Sequence, residues 1–182
     1  AIFPEHSDRA LMAIPTLQAA PGRMEWFRAP EFATVVVDYA HTPDALENAI
    51  KTCRAHCDGE VWSVFGCGGD RDIGKRPLMG AVASELSDHV VLTSDNPRSE
   101  SPQAILDDIR SGMSKAPSLE ELDRAKAIRY AVEHASVDDW VLLAGKGHEN
   151  TQIIGQKSVV YSDRAEVAQL FGLMGSEVQH AS

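Results

Sequence analysis

Residues 61–80 read VWSVFGCGGDRDIGKRPLMG. The opening VWSVFG is short and almost continuously apolar, which fits a strand buried on both faces rather than one with a wet side. A glycine-rich polar loop follows, and PLMGAVASEL (77–86) then carries the composition of a helix packed on one side. Strand, polar loop and helix together form the repeating unit of open α/β sheets.

The unit recurs in both directions. Upstream, TVVVDY (34–39) is a β-branched run, and a helix is expected from just after Pro43 to about Cys57. Downstream, HVVLTS (89–94) leads through a loop into a helix in QAILDDIRSGM (103–113). Asp123 is a good N-cap for a further helix that turns Ala127, Ile128, Ala131 and Val132 inward. WVLLAG (140–145) reads as another buried strand, GQKSVVYS (155–162) as an edge strand or hairpin, and DRAEVAQLFG (163–172) as a closing helix. The expected architecture is α/β: a Rossmann-like, open and mostly parallel sheet with helices on both faces. Residues 7–19 are compatible with a helix capped by Ser7, although Pro15 interrupts it and Pro21-Gly22 ends it. Residues 1–22 are expected to be the tail of a preceding domain and its linker, and residues 23–182 the α/β domain.

Composition narrows the function classes. The chain has 182 residues, 43% hydrophobic and 24% charged, which suits one globular domain with a full core. No apolar run approaches the roughly 18 residues needed to cross a bilayer, so no membrane insertion is expected. A net charge of −10 argues against nucleic acid as a partner, because phosphate binding needs a positive face. Cys53, Cys57 and Cys67 are an odd number in a domain of ordinary size and form no disulfide framework, which points to a reducing, cytoplasmic setting. Cys53, His56 and Cys57 share a helix, but no second ligand pair follows. Buried thiols are the plainer reading, and no metal site is expected.

In sheets of this class, ligands sit beyond the carboxyl ends of the strands. Four polar loops occupy those positions: DYAHTPD, GCGGDRDIGKRP, SDNPRSE and GKGHEN. The second imitates a phosphate loop through Gly69, Gly74 and Lys75. It then places Arg76 where a hydroxyl residue would hold magnesium, and two aspartates within it repel phosphate. What remains is a glycine turn presenting Arg71, Lys75 and Arg76 to a carboxylate or a terminal phosphate, or simply a solvated charged loop. In Asp95-Asn96-Pro97-Arg98, Pro97 restrains the backbone, Asn96 both donates and accepts, and Arg98 offers a planar fork suited to a carboxylate. As a bare tetrapeptide, it is equally a turn with a surface arginine. After WVLLAG, Gly145 permits close backbone approach, Glu149 suits an ammonium group, and His148 is a weak candidate base. Two arginines and a glutamate on one rim describe a pocket for a zwitterion. Asp38, Tyr39 and His41 end the first strand, and Arg23 lies just upstream, where it could reach a phosphate. They are suited to a nucleotide, although Asp38 reads equally well as a cap on its own turn.

Taken together, GRME, VVVDYAHTPDAL, VFGCGGDRDIGKRPLMG, SDNPRSE, LLAGKGHE and YSDR resemble the Mur ligases in content and in order, over nearly the whole chain. The closest likeness is to the members that add meso-diaminopimelate. The resemblance implies part of an ATP-dependent amide-bond ligase acting on UDP-N-acetylmuramoyl-L-alanyl-D-glutamate in peptidoglycan precursor synthesis. It implies a meso-diaminopimelate pocket at Arg71, Asp95, Asn96, Pro97, Arg98, Gly145 and Glu149, with Arg23, Asp38 and His41 near ATP. It implies ATP and Mg2+ as cofactors, held mainly by a central domain that this sequence does not include. No catalytic residue is assigned here, and the chain alone is expected to be inactive. Two other readings are a free-standing amino-acid-binding module and a lysine-adding relative. The D-N-P-R arginine argues against the second, because it matches the extra carboxylate that lysine lacks.

Overall fold

The computed structural model describes residues 20–172. The helix expected over residues 7–19 lies outside them. The described chain runs β1 (Glu25–Phe27), β2 (Thr34–Asp38), α1 (Pro43–His56), β3 (Val61–Phe65), α2 (Lys75–Leu86), β4 (His89–Thr93), α3 (Pro102–Arg110), β5 (Leu119–Glu121), α4 (Arg124–His134), β6 (Trp140–Ala144), β7 (Thr151–Ile154), β8 (Lys157–Val160) and α5 (Asp163–Leu170).

The helix starts follow from their caps. Thr42, Ser101, Asp123 and Ser162 each accept a backbone N–H from the first turn with a side-chain oxygen, and Pro43 and Pro102 fill positions that need no donor. Helix α2 differs: Gly74 precedes it without a side-chain cap, and the helix starts at Lys75, two residues before the sequence signal at Pro77.

The six-stranded sheet has the order β1-β2-β6-β3-β4-β5, parallel throughout except for β1, which runs antiparallel to β2. Alternation along the strands sorts their side chains into two cores. Val36, Phe65, Val90, Leu92 and Leu142 pack with Leu46, Ile50, Met79 and Ile109 of α1, α2 and α3. Val35, Val37, Val64, Val91, Leu143 and Trp62 pack with Ala127, Ile128 and Val132 of α4 and with Val167 of α5. The expected doubly covered parallel sheet is therefore the one observed. Strands β1 and β5 went unread in the sequence, being three residues long each and too short to carry a period. The ambiguous edge segment resolves as the β7–β8 hairpin.

The strand order creates the crevice. The chain passes from β2 over to β3, moves outward to β5, and returns to insert β6 between β2 and β3. The outward helices lie on one face and α4, on the return, lies on the other. Loops leaving β2, β3, β4 and β6 therefore diverge around a gap at the carboxyl ends, where an open α/β sheet leaves room for a ligand.

Candidate functional site

A cleft of about 390 Å3 fills that gap, lined by Tyr39, His41, Thr42, Gly68, Arg71, Asp72, Lys75, Asp95, Asn96, Arg98, Gly145 and Glu149. All four loops singled out in the sequence contribute. Two wider hollows lie elsewhere, one beside α5 and one at the amino-terminal rim around Arg28 and Trp140. Neither gathers the strand-end loops, so neither competes as the place for chemistry.

The loops after β3 and β4 are stapled together. Arg98 donates to the Gly69 carbonyl at 2.8 Å, Gly69 N–H donates to the Asn96 carbonyl at 2.9 Å, and Ser99 Oγ donates to Asp70 at 2.5 Å. A side chain on Gly68 would place its Cβ 2.8 Å from Arg98 Nη1 and 3.6 Å from Arg71 Cγ. The absent side chain is what lets both arginines lie over one point of backbone.

Arg98 has a positive φ of 52°, a costly setting for a residue with a Cβ. Its backbone is pinned there by β7: Arg98 N–H donates to the Ile153 carbonyl, and Gly155 N–H donates to the Arg98 carbonyl. The hairpin thus aims Arg98.

Glu149 and Asn96 meet from opposite loops, with Asn96 Nδ2 2.9 Å from Glu149 Oε2. Asp95 is 7% exposed, and burial pushes its carboxyl up, against the lowering influence of Arg124 and Lys146. Gly145, at φ 112°, is required beside it, because a Cβ there would stand 2.6 Å from Asp95 Oδ2. The glycine makes room for that buried carboxyl.

Other sequence candidates fall differently. Pro97 turns away from the cleft and lines a hollow behind the loop with Ser94, Arg124 and Tyr161. Arg76, read as presented by the glycine turn, is 1% exposed and lies on α2, where Glu100 and Asp108 each take Nη1 at 2.9 Å. It staples loops and is not offered to a ligand. The adjacent guanidinium holds the Glu100 carboxyl below its ordinary value. Asp38 accepts Met24 N–H and Ala40 N–H, both at 2.8 Å, so its carboxylate fastens β1 and the strand end. Arg23 lies outside the cleft lining, 5.7 Å over the Tyr39 ring, and His41 and His148 pack on the other edges of that ring at 4.7 and 5.3 Å.

Sequence reasoning missed Lys146, Arg124 and Arg76 as buried cations, since charged residues are ordinarily exposed. The one available signal was position: Lys146 sits between two glycines at a strand end.

An open, mostly parallel sheet with a charged cleft at its switch point defines an α/β ligand-binding domain. The chain belongs to the Mur ligase family: residues 22–147 match the profile described as Mur ligase, glutamate ligase domain. A curated relative from Vibrio parahaemolyticus, named UDP-N-acetylmuramoyl-L-alanyl-D-glutamate--2,6-diaminopimelate ligase, is 56% identical over 158 residues, covering 86% of this chain and 32% of its own. A solved structure titled with the same enzyme name superposes with a TM-score of 0.79 at 45% identity, over 91% of this chain and 34% of that one. A bifunctional folylpolyglutamate synthase/dihydrofolate synthase with Mn, AMPPNP and L-glutamate bound aligns at 25% identity and a TM-score of 0.55, over 70% of this chain and 29% of its own. The chain thus spans about a third of the length of the curated relative it matches.

Proposed function

We propose that this chain is the amino-acid-binding part of an ATP-dependent ligase that joins meso-diaminopimelate to UDP-N-acetylmuramoyl-L-alanyl-D-glutamate in the cytoplasm. Residues 23–182 form its carboxy-terminal domain. The observation that carries this reading is the convergence of Arg71, Arg98, Asn96 and Glu149 on one cleft. Diaminopimelate differs from lysine by a second carboxylate on the distal carbon. A guanidinium fork beside an amide donor suits that carboxylate, and Glu149 suits the neighbouring ammonium. A ligand lacking the carboxylate leaves the fork unmatched in a partly dry site, which is how such a site discriminates.

In this reading the chain's residues bind and orient the incoming amine. The amine attacks an acyl phosphate formed from the glutamate carboxylate and ATP; a C–N bond forms, the C–O bond to phosphate breaks, and the amine loses a proton. Positioning of this kind converts binding energy into rate. The Tyr39, His41, His148 and Arg23 cluster fits one edge of a nucleotide through its ring faces and its cation. No group of acidic, histidine or cysteine side chains among the described residues is arranged to hold a metal, so Mg2+ would be held by the rest of the enzyme and would there screen phosphate charge.

Calorimetric titration of the complete polypeptide with meso-diaminopimelate and with lysine tests the reading. We expect the diacid to bind at least ten-fold more tightly, and Arg98→Ala to remove that preference while the affinity for ATP stays unchanged. Equal affinities for the two amino acids in the unsubstituted protein would overturn it.

A further inference from the structure

Resting on that reading, the geometry points to Lys146 as the positioning residue that fixes which end of the cleft receives the acid and which the amine of the substrate's distal centre.

Lys146 is fully buried, an uncommon state for an ammonium group, and its two side-chain partners are both cleft residues. Its Nζ lies 3.2 Å from Asn96 Oδ1 and 3.2 Å from Glu149 Oε2. Lysine has donors only, so both partners must present oxygen to it. For Asn96 this adds a charged donor to the groups that orient its amide. Oδ1 faces Lys146 and also accepts the Ile153 N–H at 2.9 Å, and the NH2 group is turned the other way. One of its two hydrogens goes to Glu149 Oε2 at 2.9 Å. The second remains for a ligand, and it can only be donated, which suits a carboxylate.

The same lysine divides the labour within Glu149. Oε2 already accepts from Lys146 and Asn96, while no hydrogen bond to Oε1 is formed among the described residues. An incoming ammonium therefore finds one carboxylate oxygen available at a fixed place. Among the described residues, Lys146 is the one group that contacts both Asn96 and Glu149 from beneath, with the Ile153 N–H as second donor to the Asn96 oxygen. Backbone holds the arrangement from two sides, through Gly145 in its positive-φ setting and through β7 at Ile153.

Removing the cation has a directional consequence. Without Lys146 the Asn96 amide loses one of the two donors that hold its oxygen, and Glu149 gains an unneutralised charge. Donation to the distal carboxylate weakens, while attraction for an ammonium does not. The preference for a diacid over lysine should therefore narrow, which a general loss of stability would not produce.

The test uses the complete polypeptide carrying Lys146→Met, titrated with meso-diaminopimelate and lysine. We expect diaminopimelate affinity to fall about 10–100-fold, the range of one or two charge-assisted hydrogen bonds. Lysine affinity should change less than three-fold, with ATP affinity unchanged. A uniform loss for both amino acids, or no change for either, overturns the assignment of Lys146 while leaving the proposed function standing. Absence of a preference in the unsubstituted protein removes both. A second measurement does not depend on the variant folding: side-chain amide NMR of the unsubstituted protein. Asn96 should give a slowly exchanging NH2 pair before any ligand is added. An amide that becomes ordered only on adding diaminopimelate would show that the ligand, and not Lys146, sets its direction.

Discussion

The Asp95–Arg98 loop separates two cations that are equally buried and behave differently in the fold. Behind the loop, Arg124 is fully buried against an equally buried Asp163, with Nε and Nη2 each 2.8 Å from a carboxylate oxygen and Nη2 also 3.0 Å from the Ala144 carbonyl. In front of it, Lys146 is just as buried, but its partners Asn96 and Glu149 line the cleft, and Glu149 is 30% exposed. A closed pair can only hold the scaffold. A cation whose partners still have open valences can transmit order to a ligand. Arg76 falls between the two, a buried cation on α2 held by the partly exposed Glu100 and Asp108, and Arg71 lies at the opposite extreme, exposed, with a bond to the Asp70 carbonyl at 3.2 Å.

This contrast can be broken most severely at Arg124. Arg124→Met leaves the Asp163 carboxylate buried and unpaired, so unfolding titrations should show a loss of about 3–5 kcal/mol, a large share of the roughly 5–15 kcal/mol that holds a domain together. Adding Asp163→Leu should recover most of that loss, because apolar replacement of both partners removes the stranded charge. A double variant no more stable than the single would refute the closed-pair account.

The scaffold should also betray itself at alkaline pH. Burial pushes the Cys53 and Cys67 thiols up to about 12. In the unfolded chain these thiols ionise near pH 8.5, so above that value the unfolded state releases protons that the folded state retains, and stability falls as pH rises. Each thiol should add a slope of up to about 1.4 kcal/mol per pH unit in denaturant titrations between roughly pH 9 and 11. Cys53→Ala should flatten that slope relative to the unsubstituted protein; an unchanged slope would mean the thiol is not shielded.

At the cleft, Arg71→Ala sharpens the comparison from the other side. Its loss should shift folding stability by no more than about 0.5 kcal/mol, as expected for an exposed side chain outside any network. Amino-acid affinity should nonetheless drop about ten-fold, the cost of one charge-assisted contact measured by calorimetry. A stability loss comparable to that of Arg124→Met would place Arg71 in the scaffold instead.

The legible parts of the fold were those with local causes. Apolar runs at 34–37, 61–65, 89–93 and 140–144 became the parallel strands, and Asp123 capped its helix as its side chain dictates. The rim was legible too, since loops between parallel strands and their helices emerge on one side. Within it, the glycine turn misled over Arg76: the sequence offers no sign that Glu100 and Asp108 will arrive from another loop and helix to take its donors. Asp38 was open to two readings, and its contacts to Met24 and Ala40 give it a structural place.

The sequence alone determined the strand–loop–helix rhythm, the capped helix starts and the side of the sheet on which polar residues collect, because each of these depends on neighbours a few positions away. Tertiary structure decided which charges are closed and which remain open. The groups that settle the matter are brought together from distant segments: Lys146 with Asn96, Arg124 with Asp163, and Arg98 with the β7–β8 hairpin. Whether a buried cation finds all its acceptors is fixed only when the chain closes around it.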